Sequence, residues 1–245
     1  MMKVLAIIPA RGGSITLPRK NILSFCGKPL IAYSIDAALN AKAAGAPIDR
    51  IVVSTDDAEI AEVSRRHGAE VPFMRPPELA RSDTASLPVV QHAIGQAEAE
   101  RKQRYDWILL LQPTSPLRTH DDIREALGLA EADATSVVSV ASANNAHPAK
   151  LKLIEAGVLK PYQGHDLQQP ARQNFGVDVY KTNGAIYLTR RNTLMEEASF
   201  YGKRALAFVM APERSIDIDT RLDFEVAEFL WRRQCGMTGQ GRCAC

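Results

Sequence analysis

The chain has 245 residues, 46% of them hydrophobic, enough for one full α/β core at the upper end of a single domain's size. Its 30 Lys and Arg nearly balance 28 Asp and Glu, so no overall field draws it to nucleic acid or an anionic membrane, and the positive charge that matters is local. No apolar run approaches a bilayer span and the run at 4–8 is too short for a signal-peptide core, so a soluble, cytoplasmic protein is expected.

Val4-Leu5-Ala6-Ile7-Ile8 reads as a buried strand that empties into Pro9-Ala10-Arg11-Gly12-Gly13-Ser14-Ile15-Thr16-Leu17-Pro18-Arg19-Lys20-Asn21. Two adjacent glycines let backbone N–H groups approach an anion, and Arg11, Arg19 and Lys20 place positive charge on the same loop, which suits a polyphosphate. Neither the dinucleotide fingerprint nor the Walker loop can be written through it. A polar connection with solvated cations is the competing reading; against it, the loop lies at a strand's C-terminal end, where open α/β sheets bind ligands.

Pro29 then opens a helix with Ile31, Ile35, Ala38 and Leu39 on one stripe. A strand at 51–53, a helix over 58–67, a short strand at 70–73 and a helix over 87–101 follow. The run 107–111 is the most apolar in the chain and therefore a central strand, with a helix around 122–131 and a strand at 136–140 after it. This alternation implies a parallel sheet covered on both faces, complete by about residue 142. From 144 to about 202 Pro148, Pro161, Gly164, Pro170 and Gly176 interrupt the pattern and helical periodicity is lost, which reads as an insertion or second lobe. The main unit resumes with a strand at 206–210 and closes with a helix over 220–233, Thr220 and Asp223 forming its N-cap pair and Leu222, Val226, Phe229 and Leu230 its buried stripe. Residues 235–245 are expected to form a flexible tail, and Cys26 is expected to be a reduced, partly buried thiol.

Three further segments carry chemistry. In Ser215-Ile216-Asp217-Ile218-Asp219-Thr220 the strand period puts both carboxylates on one side, where they repel unless a hard divalent cation lies between them; alternatively, Asp219 or Thr220 only caps the last helix. In Leu111-Gln112-Pro113-Thr114-Ser115-Pro116-Leu117-Arg118 two prolines stiffen a loop that offers neutral donors and one cation, a mix suited to a hydroxylated, acidic ligand, or else a turn with caps. Ser82-Asp83-Thr84-Ala85-Ser86 reads equally as part of a site or as the N-cap of the next helix. His67 and His92 fall on helix patterns, His147 before Pro148 is a loop residue that could touch substrate, and none is assigned as a base.

Taken in order, Ile8 to Ser14 with Leu17 to Asn21, Ser54-Thr55-Asp56, Arg75-Pro76 with Glu78-Leu79-Ala80, Ser82 to Ala85, Leu111 to Arg118, Asn183-Gly184-Ala185-Ile186-Tyr187 and Ser215 to Thr220 resemble the CMP-sialic acid synthetases, or acylneuraminate cytidylyltransferases, and their bacterial relatives acting on legionaminic and pseudaminic acids. The resemblance extends to about Arg233 and implies a three-layer Rossmann-like nucleotidyltransferase fold, with a mostly parallel sheet and an inserted dimerisation lobe at about 144–202 within a domain at 1–234. It also implies transfer of CMP from CTP to the anomeric hydroxyl of a nine-carbon 2-keto sugar acid, with Mg²⁺, in a homodimer. By resemblance Arg11 and Lys20 hold the triphosphate beside Gly12, Gly13 and Ser14, and Asn21, Arg75 and Ser82 contact the cytidine. Gln112, Thr114, Ser115 and Arg172 face the sugar acid, Tyr187, Phe200 and Tyr201 line its pocket, and Asp217 and Asp219 hold the metal, Asp219 with a catalytic part.

Two departures stand out. Ser14-Ile15-Thr16 replaces the family's Ser-Lys-Gly, so a phosphate-binding lysine is missing and Arg19 is expected to take over part of its work. The segment after Arg172-Gln173 is one residue longer than the usual pattern and lacks its proline. A nucleotide-binding dimer with little catalysis and a transferase for a shorter 2-keto sugar acid remain as alternatives.

Overall fold

The structure, a computed structural model, describes residues 2–143, 146–162 and 178–236. Strand β1 (Val4–Pro9) leads through the cation-bearing loop to a hairpin of β2 (Ser24–Phe25) and β3 (Lys28–Pro29), then to helix α1 (Leu30–Ala43). After it come β4 (Ile48–Ser54), α2 (Ala58–Arg66), α3 (Ser86–Arg101), β5 (Trp107–Leu110), α4 (His120–Gly128) and β6 (Ser136–Ser142). A second hairpin, β7 (Lys152–Glu155) and β8 (Val158–Pro161), precedes β9 (Tyr180–Arg190), α5 (Arg191–Met195), β10 (Ala205–Val209) and α6 (Arg221–Gln234).

Six strands form one sheet in the order β10-β6-β9-β5-β1-β4. All pairings in it are parallel except those of β9, which runs antiparallel between β5 and β6. Along β1 the side chains alternate between layers: Val4, Ala6 and Ile8 pack with α1, α2 and α4, whereas Leu5 and Ile7 pack with α3 and Leu194 of α5.

Three expectations need correction. The sheet is not complete near residue 142, because β9 lies inside the stretch read as an insertion and belongs to the central sheet. Helical periodicity disappears there because 180–190 is a strand interrupted by a glycine. No strand forms at 70–73; Glu70 makes a single parallel bridge to Val52. Most of the stripe assigned to α6 faces outward: Leu222 and Phe229 are 69% and 63% exposed and Val226 is exposed, Leu230 packs against the core as expected, and the buried residues are Phe224 and Ala227. Apolar residues occur on both sides of this helix, and the side that turns inward is the one that meets Phe25 and Tyr33. The Thr220–Asp223 capping box forms as expected. Arg172 and the end of the tail from Met237 fall outside the described residues.

The packing of α6 rests on aromatic edges. Cys26 (φ 44) and Gly27 (φ 92) make the two-residue turn between β2 and β3, which turns Phe25 inward. Phe25 is fully buried, with its ring 5.0 Å from Tyr33 and 5.4 Å from Phe224, both edge-on, and Tyr33 meets Trp231 at 4.6 Å. The Tyr33 hydroxyl donates to the Phe25 carbonyl at 2.6 Å, and Cys26 is buried against the Glu228 carbonyl. Truncating Phe25 therefore opens the seam between the first hairpin and the last helix. Phe25→Ala is expected to lower unfolding stability by about 3–5 kcal/mol in a denaturant titration, with the loss shared by Phe224→Ala.

Candidate active site

A cleft of about 590 Å³ opens at the C-terminal ends of β1 and β5. Arg11, Ser14, Lys20, Asn21, Arg75, Ser82, Gln112, Thr114, Asp217 and Asp219 line it, so residues from four separated stretches of the chain meet in one place.

Its first wall is the loop after β1. The buried Asn21 side chain donates to the Arg11 carbonyl at 2.9 Å and holds the loop's two ends together, while the Arg11 guanidinium donates to the Arg81 carbonyl at 3.0 Å. Gly12 is needed for close approach: a Cβ there would lie 2.8 Å from Asp57 Oδ2, and the Gly12 N–H is taken by Asp56 Oδ1 at 3.0 Å. Its amide is thus committed to a carboxylate rather than offered to an anion, and neither Gly12 nor Gly13 lines the cleft. Arg19 also turns away. Its left-handed backbone (φ 58) points the guanidinium to Asp57 and Glu59, and Asp57 additionally caps α2 by accepting from the Ile60 N–H at 2.9 Å. The structure therefore does not support the expectation that Arg19 faces a departing pyrophosphate. Lys20 reaches across instead, donating to the Ile218 carbonyl at 2.6 Å and lying 3.3 Å from Asp219 Oδ1.

The second wall comes from residues 75–89. Arg75 is buried, and its guanidinium donates to the Ser54 hydroxyl and carbonyl. Burial brings its pKa down to about 10, with nearby Asp56 opposing the shift and Arg11 adding to it. Ser82, Thr84 and Ser86 line the cleft, and α3 begins after Ala85 without a side-chain cap, so the capping reading of this segment is not met. Arg81 and Val89 also face the cleft and were not singled out from the sequence; the hydroxyl-rich run Ser82 to Ser86 between them was the nearest signal.

The third wall joins the loop after β5 to β9 and the segment before α6. Opposite β9, β6 slips register between Val138 and Val140, and the Ser139 hydroxyl fills the gap, donating to Asn183 Oδ1 at 2.6 Å and accepting from the Ile186 N–H at 2.7 Å. Asn183 Nδ2 in turn donates to the Ser215 hydroxyl at 2.9 Å, which ties β9 to the segment carrying Asp217. Gly184 (φ 74) sits where a Cβ would come within 2.9 Å of Gln112 Oε1 and 3.4 Å of Asp217 Oδ2. Arg118, fully buried, donates to the carbonyl of Ala185 and the hydroxyl of Ser34, and burial brings its pKa down to about 10. It is a structural cation and does not line the cleft.

Of the residues expected to meet a sugar acid, Gln112 and Thr114 line the cleft; Ser115 is buried under Asn183, bonded to its carbonyl. Tyr187 and Phe200 pack on each other at 5.6 Å beside the second core cluster, Tyr201 is half-exposed, and none of the three lines this cleft.

Asp217 and Asp219 lie on one side of an extended segment held by the Ile218 N–H to the Thr114 carbonyl at 2.8 Å, while Ile218 is buried on the other side. Burial pushes the Asp217 carboxyl above its usual range, a hydrogen bond with Thr114 opposes this, and Asp219 adds to it. Its Oδ1 is buried without a hydrogen-bond partner. Among the described residues no group of three or more His, Cys, Asp and Glu gathers as a metal site. Two carboxylates with one buried, unsatisfied oxygen nevertheless fit Mg²⁺, which keeps several waters and takes further ligands from substrate phosphates.

A sequence model of the cytidylyltransferase family matches residues 5–235. The chain belongs to that family. This cytidylyltransferase is 38% identical over 235 residues to the CMP-N,N'-diacetyllegionaminic acid synthase of Legionella pneumophila, covering 94% of this chain and 96% of that protein. It is 34% identical to a pseudaminic acid cytidylyltransferase of Campylobacter jejuni, covering 94% and 97% of the two chains. Identity to the N-acylneuraminate cytidylyltransferase of Escherichia coli is also 34%, over 92% of this chain but only 51% of that one. In fold it matches a CMP:2-keto-3-deoxy-manno-octonic acid synthetase solved with CTP, at a TM-score of 0.67, 19% identity and coverage of 95% and 99%. Among the described residues no helix is long and apolar enough to cross a membrane.

The placement of Arg19 gives a clear expectation. Because Arg19 holds the Asp57 carboxyl below its ordinary range, the pair stabilises the fold above that range and the contribution is lost as pH falls through the lowered value. Arg19→Leu should cost about 1 kcal/mol or less at neutral pH, a difference from wild type that shrinks in acid melts, and should leave turnover within about threefold.

Proposed function

We propose that this cytidylyltransferase transfers CMP from CTP to the anomeric hydroxyl of a nine-carbon 2-keto sugar acid of neuraminic, legionaminic or pseudaminic type, releasing pyrophosphate. The observation that carries this reading is that Arg11, Lys20 and Gln112 line one cleft together with Asp217, whose Oδ1 is buried and unsatisfied. The relatives named for such acids support the substrate class.

In the proposed reaction the anomeric oxygen forms a bond to the α-phosphorus as its proton passes to solvent, and the bond from that phosphorus to the pyrophosphate oxygen breaks, pyrophosphate leaving with that oxygen. Attack by a weakly acidic hydroxyl on a phosphate depends on alignment and charge neutralisation more than on covalent help. Arg11 and Lys20 would hold the triphosphate, Arg75, Asn21 and Ser82 the cytidine, and Gln112 and Thr114 the sugar acid. Asp217 and Asp219 would hold Mg²⁺, which when bound supplies positive charge against the phosphates. Lys20, fixed by the Ile218 carbonyl, keeps Asp219 oriented toward the phosphates in this scheme.

Pyrophosphate release from CTP, measured with each of the three acids and without any, tests the reading; the expected result is release that requires one of them. Asp217→Asn and Asp219→Asn should each lower turnover about 100-fold or more, and EDTA should abolish it. Full turnover under chelation would remove the metal from the scheme.

We further propose that the enzyme works as a homodimer through the β7–β8 hairpin, where Ile154, Val158 and Leu159 are 75%, 58% and 58% exposed. Light scattering at micromolar concentration should give twice the monomer mass, and Ile154→Asp with Leu159→Asp should give the monomer.

A further inference from the structure

Resting on the reaction proposed above, the cation inventory of the cleft identifies an additional triphosphate contact. Residues 14–16 of the loop after β1 face the cleft with two hydroxyls and Ile15, which is 77% exposed and brings no charge. The other cations on the loop and beneath it are already engaged. Lys20 is held by the Ile218 carbonyl and Asp219, Arg75 is buried against Ser54, and Arg19 is turned to Asp57 and Glu59. A nucleoside triphosphate brings several negative charges, and its outer phosphates need cations that are not already neutralised.

Arg81 meets that need. It lines the cleft, its side chain is solvent-accessible, and among the described residues its guanidinium makes no ion pair or hydrogen bond. The Arg11 guanidinium donates to the Arg81 carbonyl at 3.0 Å, which ties the Arg81 backbone to the loop after β1, and Arg81 shares the cleft lining with Arg11, Ser14 and Ile15. We propose that Arg81 binds the outer phosphates of the nucleoside triphosphate, completing with Arg11 the positive wall that the loop after β1 leaves open at Ile15. A guanidinium can grip two phosphate oxygens at once, and Arg81 stands on the loop before α3, a different stretch of chain from the loop after β1.

The test compares nucleotides that differ only in phosphate number. Binding of CTP and of CMP to the full chain is measured by calorimetry without sugar acid, so no turnover is needed. Arg81→Leu should weaken CTP binding about fivefold or more, the low end for a charge-assisted contact at an exposed site, and leave CMP binding within twofold. Arg81→Lys should keep most of the CTP affinity, and Ile15→Lys added to Arg81→Leu should recover part of it. Equal losses for CMP and CTP, or unchanged CTP affinity, would overturn the assignment. A wild-type chain that binds CTP but never releases pyrophosphate with any acid would instead refute the reaction reading and leave Arg81's phosphate contact standing.

Discussion

Everything in the cleft depends on where β9 runs. It passes antiparallel between β5 and β6, hydrogen-bonded on both edges, so its position is fixed more strongly than that of any loop. The slip at Val138 and Val140 leaves room for Asn183 and Gly184 to leave the ladder, and the Ser139 hydroxyl satisfies the polar groups that the slip frees. From there Asn183 fixes Ser215, and with it the short extended segment that carries both carboxylates. The absence of a side chain at Gly184 allows Gln112 and Asp217 to approach the same point.

Charge is sorted by depth around this frame. The deepest cations, Arg118 and Arg75, spend their donors on carbonyls and hydroxyls, which anchors the loop after β5 and the C-terminal end of β4. Burial destabilises their charged forms, so each contributes alignment and little free field. Cations nearer solvent are of two kinds. Arg19 is matched by Asp57 and stabilises the loop, whereas Arg11, Lys20 and Arg81 lie on the cleft wall. Asp57 links the two roles, since it caps α2, pairs with Arg19 and sets how closely Gly12 must approach.

The parts of this arrangement that could be read from the sequence are those set by local chemistry. β1 and β5 are apolar on both faces, Thr220 and Asp223 form a reciprocal cap within four residues, and the Asp217–Asp219 spacing puts both carboxylates on one side of an extended chain. What escaped reading depends on partners far along the chain. Nothing in Tyr180 to Tyr187 shows that it will be paired on both edges, because its polar start and its glycine look like loop until Ser139 is placed opposite. The inward side of α6 is chosen by Phe25 and Tyr33, about 200 residues earlier, and either of its apolar sides would suit a helix on its own. Arg19 and Lys20 are neighbours of the same charge, and only a left-handed backbone at the first sends them in opposite directions.

The late arrival of β9 bears on how the chain is made. Until residue 190 has been synthesised, β5 has β1 on one edge and nothing on the other, and β5 is among the most apolar strands of the protein. During that interval a nascent chain carries a bare, hydrophobic strand edge, the kind of surface on which chains pair wrongly with one another. A polypeptide cut short before 180 would keep that edge permanently, whereas the full-length chain covers it once β9 is in place.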